Sequence, residues 1–311
     1  VSILSIILLF IVASVVTLIL GMLLKWVDRK VTARVQYRVG PPWYQPMVDV
    51  LKLMGKETLM PVTARGTGFL LAPVIALAST AVASAILWYA VFNPEPGAGF
   101  LGDLVVLVYI LLIPAVMTIM GASASGNPHA AIGASREMKL MFSYELPLFL
   151  IIVIAIARAG WTLQFGTILA EQQATGSFLY SISGVIAIII GILCMQAKLG
   201  QVPFDLAEAE CEIMSGVYVE YSGPSLAMFL MTRAMLLALL PVLLIVLFWG
   251  GLTLSILGVL AFLGKYVLLV ALVTLIRNTN PRLRIDQALK FFWFGLTPLA
   301  ILAVILALAG Y

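Results

Sequence analysis

Eight stretches of this chain are apolar for about 18 to 25 residues each, and that length fixes what the chain can fold into. A run of that length crosses the hydrocarbon core of a bilayer as one helix. Inside lipid every backbone polar group needs a partner within the protein, which leaves only helices and closed barrels. The alternating pattern of barrel strands is missing. The expected fold is therefore an all-α polytopic membrane protein of about eight transmembrane helices. The spans fall at about 2–24, 69–92, 104–121, 141–159, 178–196, 226–248, 252–276 and 291–310. Pro114, Pro147 and Pro241 lie inside spans three, four and six, where neighbouring groups satisfy the freed carbonyls. The first run has no basic region before it and no small-residue cleavage site after it, so it reads as a retained span rather than a signal peptide.

The charges that remain are few, 10% of residues against about a quarter in a soluble domain, and they are sorted. Lys25, Arg29, Lys30, Arg34, Arg38, Lys52, Lys56 and Arg65 lie between spans one and two. Arg136 and Lys139, then Lys198, then Arg277, Arg282, Arg284 and Lys290 fill every second connection after that. The opposite side offers only Arg158, near the end of span four. The positive-inside rule places the basic loops (25–68, 122–140, 197–225 and 277–290) in the cytoplasm and both termini outside. This topology accounts for a pI near 9.1 without a nucleic-acid partner. The two halves differ in loop length and show no internal repeat, so residues 1–311 read as a single membrane domain, unlike a repeat-built secondary transporter. Cys194, Cys211 and the lone His129 cannot build a metal centre or a disulfide framework.

The first basic loop, DRKVTARVQYRVGPP, reads as a helical extension of span one. Lys30, Arg34 and Arg38 recur every fourth residue on one face until Gly40-Pro41-Pro42 ends the run. Such a patch suits anionic lipid or a docking partner. Next, Met47, Val50, Leu51 and Met54 follow i, i+3, i+4, i+7 in a segment too short to span. That pattern fits a helix lying in the membrane interface, as an anchor or as the frame of an opening toward lipid.

Five of the chain's fourteen acidic residues crowd into VPFDLAEAECEIMSGVYVEYSGP, residues 202–224: Asp205, Glu208, Glu210, Glu212 and Glu220. Pro203 suits a first helical turn and Gly216 a helix end. On such a helix Asp205, Glu208 and Glu212 share one face and Glu210 points away. Either the face is solvated, or, given the interleaved Phe204, Leu206, Ile213, Met214, Val217 and Tyr218, it is a half-buried carboxylate row able to pass protons or bind cations. Glu145 sits at the cytoplasmic end of span four, Arg233 just inside span six and Lys265 near the middle of span seven. Charges at such depth face the protein interior and pair.

Four segments together resemble one known family. They are DRKVTARVQYRVGPP (28–42), GASREMKLMFSYEL (133–146), the acidic stretch (202–224) and NPRLRIDQALKFFW (280–293). The chain resembles the membrane component of respiratory complex I known as subunit 1 or as the H-type subunit. It also resembles the homologues of that component in energy-converting membrane-bound NiFe hydrogenases and in related archaeal ferredoxin-dependent complexes. The resemblance runs over nearly the whole chain. It implies a prokaryotic cell-membrane protein that joins the membrane arm to a cytoplasmic redox arm and couples electron transfer to H⁺ or Na⁺ movement.

Carried over residue by residue, the resemblance implies an ion or proton path through Glu145, Glu208, Glu210, Glu212 and Glu220; the helical spacing adds Asp205 to it, and the intramembrane charge Lys265 is a further candidate. It implies docking of the peripheral arm at Arg29, Arg34 and Arg38, and Arg136 of the next basic loop is a further candidate for that interface. No catalytic, cofactor-binding or metal site is expected in this chain. Iron–sulfur clusters and a NiFe centre would belong to peripheral partners, and antiporter-like subunits would adjoin it in the membrane. Gln201 and Val202 stand where quinone-reducing complexes carry an arginine before an APFD-type motif, and GNPHAAIGASREM has the hydrogenase-type character. Both departures favour a hydrogenase or ferredoxin-oxidising complex over the quinone-binding member of an NADH:quinone oxidoreductase. A stand-alone cation/proton antiporter and a passive anchor remain as alternatives.

Overall fold

A computed structural model describes residues 3–64, 66–95, 97, 99, 102–208 and 210–310, apart from the side chains of Ile3, Glu210 and Cys211. The described residues are helical or irregular, with no strand among them. Seven helices are long and apolar enough to cross a membrane: α1 (Ile3–Val35), α3 (Gly66–Phe92), α4 (Asp103–Ala124), α5 (Pro128–Arg158), α9 (Gly223–Phe248), α10 (Ile256–Thr279) and the last helix from Ile285 to Leu308. A shorter apolar helix, α7 (Ile182–Lys198), is the eighth expected crossing. The last helix is composite. A first turn, α11 (Ile285–Lys290), runs through a π-helical turn at Phe291–Leu296 into α12 (Thr297–Leu308). Pro73, Pro114, Pro147 and Pro241 all lie within helices.

The bundle is built around α9. Every residue from Ala234 to Phe248 is buried, as expected for a helix that is apolar all round. The helices α1, α3, α7 and α10 pack around it. At the α1–α9 crossing a Cβ on Gly21 would stand 2.1 Å from the Ala234 carbonyl oxygen, so only glycine permits this approach. By contrast α1 and α10 leave many apolar side chains exposed, Leu4, Ile11, Leu257 and Leu260 among them, as helices facing lipid must.

Two helices are longer than a bilayer requires. At about 1.5 Å per residue, the 33 residues of α1 and the 31 of α5 exceed the ~30 Å hydrocarbon core by more than two turns. Both project at the basic end of the bundle. The expected 122–140 loop is thus mostly the first turns of α5. Asn127 caps that helix by accepting a hydrogen bond from the His129 N–H, and Pro128 occupies its first turn. The extension of α1 stops sooner than its charge spacing implies. Tyr37 takes a left-handed conformation (φ 58°) and the Arg38 N–H returns to the Ala33 carbonyl, so Arg38 leaves the face shared by Lys30 and Arg34. The interface helix is present as α2 (Gln45–Met54), with Leu51 and Met54 exposed. The helix α6 (Phe165–Thr175), which lies in the connection between spans four and five, had no clear periodic signal. It is fixed to the far end of α9 by Gln172, whose amide donates to the Val246 carbonyl and accepts from the Gly250 N–H, each at 2.8 Å.

Candidate functional site

The acidic stretch is not the helix its spacing predicts. Residues 202–208 form turns, and only a single helical turn, α8 (Glu210–Ile213), precedes a 3₁₀ turn at Gly216–Tyr218. The stretch packs as an irregular plug between helices. Phe204 is buried against Phe292, with ring centres 4.8 Å apart, and the Leu283 N–H donates to the Pro203 carbonyl. Close backbone approach seats it on α5. A Cβ on Gly133 would lie 2.8 Å from the Val217 nitrogen, and one on Gly216 would lie 1.9 Å from the Ala207 oxygen.

The single acidic face is therefore replaced by a fan. Asp205 accepts from Arg282 at 2.7 Å, Glu208 from Arg233 of α9, Glu212 from Arg136 of α5, and Glu220 from the Asn127 amide at 2.5 Å. Arg233 lies on α9, Arg282 just before the last helix, and Arg136 and Asn127 on α5 and at its cap. Tertiary charge pairing outweighs the few tenths of a kcal/mol per residue that local helix propensity offers. The Glu210 side chain lies outside the described residues. Glu212 is about half exposed, with 51% of its side chain accessible, whereas Glu208 is largely covered.

Deeper in the bundle, Lys198 at the end of α7 donates to Glu145 of α5 at 2.5 Å, and both side chains are buried. The ammonium also lies 5.4 Å from the centre of the Tyr144 ring. Two cavities adjoin the Glu208–Arg233 pair, one reaching Lys198 and the other Asp205. The smaller, about 30 Å³, is lined by Glu137, Lys198, Glu208 and Arg233 together with Thr118, Tyr218 and Thr232. The larger, about 180 Å³, is lined by Lys25, Asp28, Gln201, Asp205, Glu208, Arg233 and Arg277. Gly200, Glu208 and Arg233 border both. Asp28 pairs with Arg277, tying α1 to α10. Several buried oxygens along this line find no protein partner: Asp28 Oδ1, Gln201 Oε1, Gln196 Oε1, Tyr144 OH and Glu145 Oε2. Buried polar atoms of this kind are normally satisfied by ordered water. Burial pushes the Glu208 carboxyl above the ordinary carboxylate value, with Arg233 opposing.

The other expected site residues are dispersed. Arg29 pairs with Asp49 of α2 at 2.9 Å. Burial alone would raise the Asp49 carboxyl, but Arg29 and Gln45 hold it below its usual value. Arg34 and Arg38 are exposed at the basic end. Lys265 stands apart from the acidic loop. It donates to the Trp249 carbonyl at 2.7 Å, capping the C-terminus of α9. Sixteen residues separate Trp249 from Arg233 on that line, about 24 Å of helix. Among the described residues no group of three His, Cys, Asp or Glu side chains converges to hold a metal ion.

Sequence reasoning missed Glu137, the role of Lys198, and the Asp28–Arg277 pair. Glu137 had a signal. It lies three residues after buried Ala134 and three before buried Leu140, so it falls within the buried stripe of α5 rather than on a solvated face.

Apolar crossing helices with ion pairs gathered at one end define an integral membrane subunit that keeps charge at the membrane boundary. The chain matches the family described as NADH dehydrogenase over residues 6–308 and belongs to it. It is 33% identical to the H-type subunit of NADH-quinone oxidoreductase from Brevibacillus brevis, an alignment that covers 96% of this chain and 91% of that one. It is 34% identical to the corresponding NADH-quinone oxidoreductase protein of Bacillus cytotoxicus, over 97% of this chain and 91% of the relative. Its structure resembles a chain of the membrane-bound sulfane sulfur reductase, an archaeal respiratory membrane complex. That likeness has a TM-score of 0.86 and 29% identity, and covers 97% of this chain and 99% of that one.

Proposed function

We propose that this chain is the coupling subunit of a complex I-related respiratory complex in a prokaryotic cell membrane, of the hydrogenase or ferredoxin-oxidising type. Electron transfer takes place in peripheral subunits that carry iron–sulfur clusters and a NiFe-like centre. This chain passes the consequence of that transfer to H⁺ or Na⁺ movement in the membrane, beside antiporter-like subunits. The observation that carries the reading is that Glu208 and Arg233 border two adjoining cavities, one reaching Asp205 and the other Lys198, which is itself paired with Glu145. Membrane proton relays are built from such buried ionisable groups. Arg34, Arg38 and the Arg136–Glu212 pair present the charged surface on which the peripheral arm would dock.

A quinone-reducing complex is the second reading, favoured by the names of the NADH-quinone oxidoreductase relatives. Gln201 and Val202, standing where quinone-reducing complexes carry an arginine, weigh against it.

The test is Glu208→Gln in the intact complex, reconstituted in sealed vesicles. Electron transfer should persist while redox-driven ion movement falls about tenfold, a barrier increase of ~1.4 kcal/mol. Undiminished ion movement would leave the ion pairs as structural clamps. Co-purification with iron–sulfur subunits separates the complex from a stand-alone antiporter.

A further inference from the structure

Past Leu24, α1 keeps an apolar stripe in the segment that carries its charges. Leu24, Val27, Val31 and Val35 follow i, i+3, i+7, i+11 on one helical face. The charges of the same segment turn elsewhere. Arg29 pairs with Asp49 of α2, Asp28 pairs with Arg277 of α10, and Lys25 lines the polar cavities. The stripe needs an apolar neighbour, and the chain supplies only part of one. Val31 and Val35 remain 40% and 58% exposed.

The stripe is one wall of a groove of about 610 Å³. The other wall is α10, with Val267, Ala271 and Leu275. Val270 and Thr274 are buried at its floor, and the Thr274 hydroxyl donates to the Val270 carbonyl, so the floor offers no free donor. The volume falls within the roughly 300–1,000 Å³ of small-molecule sites. Both helices run toward the basic end of the bundle. From Leu24 to Val35 the groove covers about 16 Å of helix, half of the ~30 Å hydrocarbon core. A neighbouring transmembrane helix needs a seat through the full core, whereas an acyl chain of one leaflet needs half.

Polar groups gather at one end of the groove only. Asn278 and Thr279 line it there. Arg34 precedes Val35 on one wall, and Arg277 precedes Asn278 on the other. Arg34 is exposed and forms no ion pair among the described residues. Arg277, held by Asp28, stays part-exposed. An apolar trough with an arginine on each wall at its cytoplasmic mouth is complementary to a molecule with an oily chain and an anionic head.

We infer that the α1–α10 groove holds an anionic phospholipid of the cytoplasmic leaflet, with one acyl chain between the two valine-rich walls and its phosphate at Arg34 and Arg277. The lipid completes the apolar face of α1 and fills the gap between two helices that both pack on α9. The inference needs only the placement of the chain in a membrane and does not depend on the ion-path reading. Arg34 also belongs to the docking surface proposed above, so its part in holding the headgroup is read from cross-linking and not from assembly.

The test uses the intact complex in phosphatidylcholine vesicles doped with phosphatidylglycerol that carries a photoactivatable acyl chain. Matched vesicles carry the same chain on phosphatidylcholine. Mass spectrometry of the irradiated chain should place cross-links on the groove walls of α1 and α10. The anionic probe should exceed the zwitterionic one by about fivefold or more, since each arginine near the surface contributes roughly that factor. Arg34→Gln should cut the excess about fivefold, and added salt should shrink it in wild type. Ala271→Trp fills the groove from an exposed position and should abolish the groove cross-links while those at Leu257 and Leu260, nearer the start of α10, persist. Val31→Trp on the opposite wall should do the same. Equal labelling by the two probes would reduce the occupant to ordinary boundary lipid and overturn the inference. Groove cross-links that survive both tryptophans would also overturn it. So would a photoreactive residue at Leu275 that captures a partner protein in the intact complex instead of phospholipid, since the groove would then seat a helix.

Discussion

Arg233, from within α9, closes on both oxygens of Glu208, a residue 25 positions earlier in the chain, with Nη1 donating to Oε2 at 2.6 Å. This one contact binds the irregular acidic loop to the most deeply buried helix of the bundle, and it borders both polar cavities.

Removing one member of the pair should therefore be worse than removing both. Arg233→Leu leaves the Glu208 charge covered and unmatched, at a cost of about 3–5 kcal/mol. The double variant with Glu208→Gln should recover much of that loss. Assembled complex per cell and thermal denaturation of the purified complex measure both. Equal loss in the single and double variants would show that Arg233 acts through packing alone.

The same pair sets a pH dependence. The folded chain holds the Glu208 proton more tightly than the unfolded chain, whose value is near 4.5. The stability contributed by this group is thus complete below about 4.5 and declines as pH rises through the raised folded value. Arg233, Lys25 and Asp205 are the charges that modulate it. Wild type compared with Glu208→Gln across a pH series should lose ground as pH rises above that point. A difference independent of pH would refute the shift.

Lys265 should matter little to ion movement. Its ammonium caps the Trp249 carbonyl at the end of α9 remote from the acidic loop. Lys265→Met should cost about 1 kcal/mol of stability through the lost cap and leave redox-driven ion movement within about twofold. A tenfold loss would place Lys265 on the path, where the sequence pattern first put it.

Orientation can be read with single cysteines in a Cys211→Ser background, since Cys194 is buried. Cysteines at Thr63 and Asn280, on the basic side, should be protected from an impermeant thiol reagent in intact cells. One at Glu95, in the opposite connection, should be labelled. The reverse pattern would invert the topology.

The spans were legible because hydropathy and length act locally, and lipid enforces them residue by residue. The interface helix α2 was legible for the same reason, since its Met47, Val50, Leu51 and Met54 stripe needs no partner to be seen. The acidic loop was not. Asp205, Glu208 and Glu212 follow a helical spacing, but their partners, Arg282, Arg233 and Arg136, lie 77, 25 and 76 positions away. Nothing local encodes such pairing. Glu137 was overlooked because Arg136 and Lys139 beside it make the segment look solvated. Its place between Ala134 and Leu140 on the buried stripe was the better guide.

The fan of carboxylates has a mechanical consequence. The described residues between 205 and 220 have little regular backbone bonding of their own, yet they are moored to α5, α9 and the approach to the last helix, with a further line to Asn127. A packed segment tied to several separate elements transmits load among them, so a pull on any one mooring would be shared by the others.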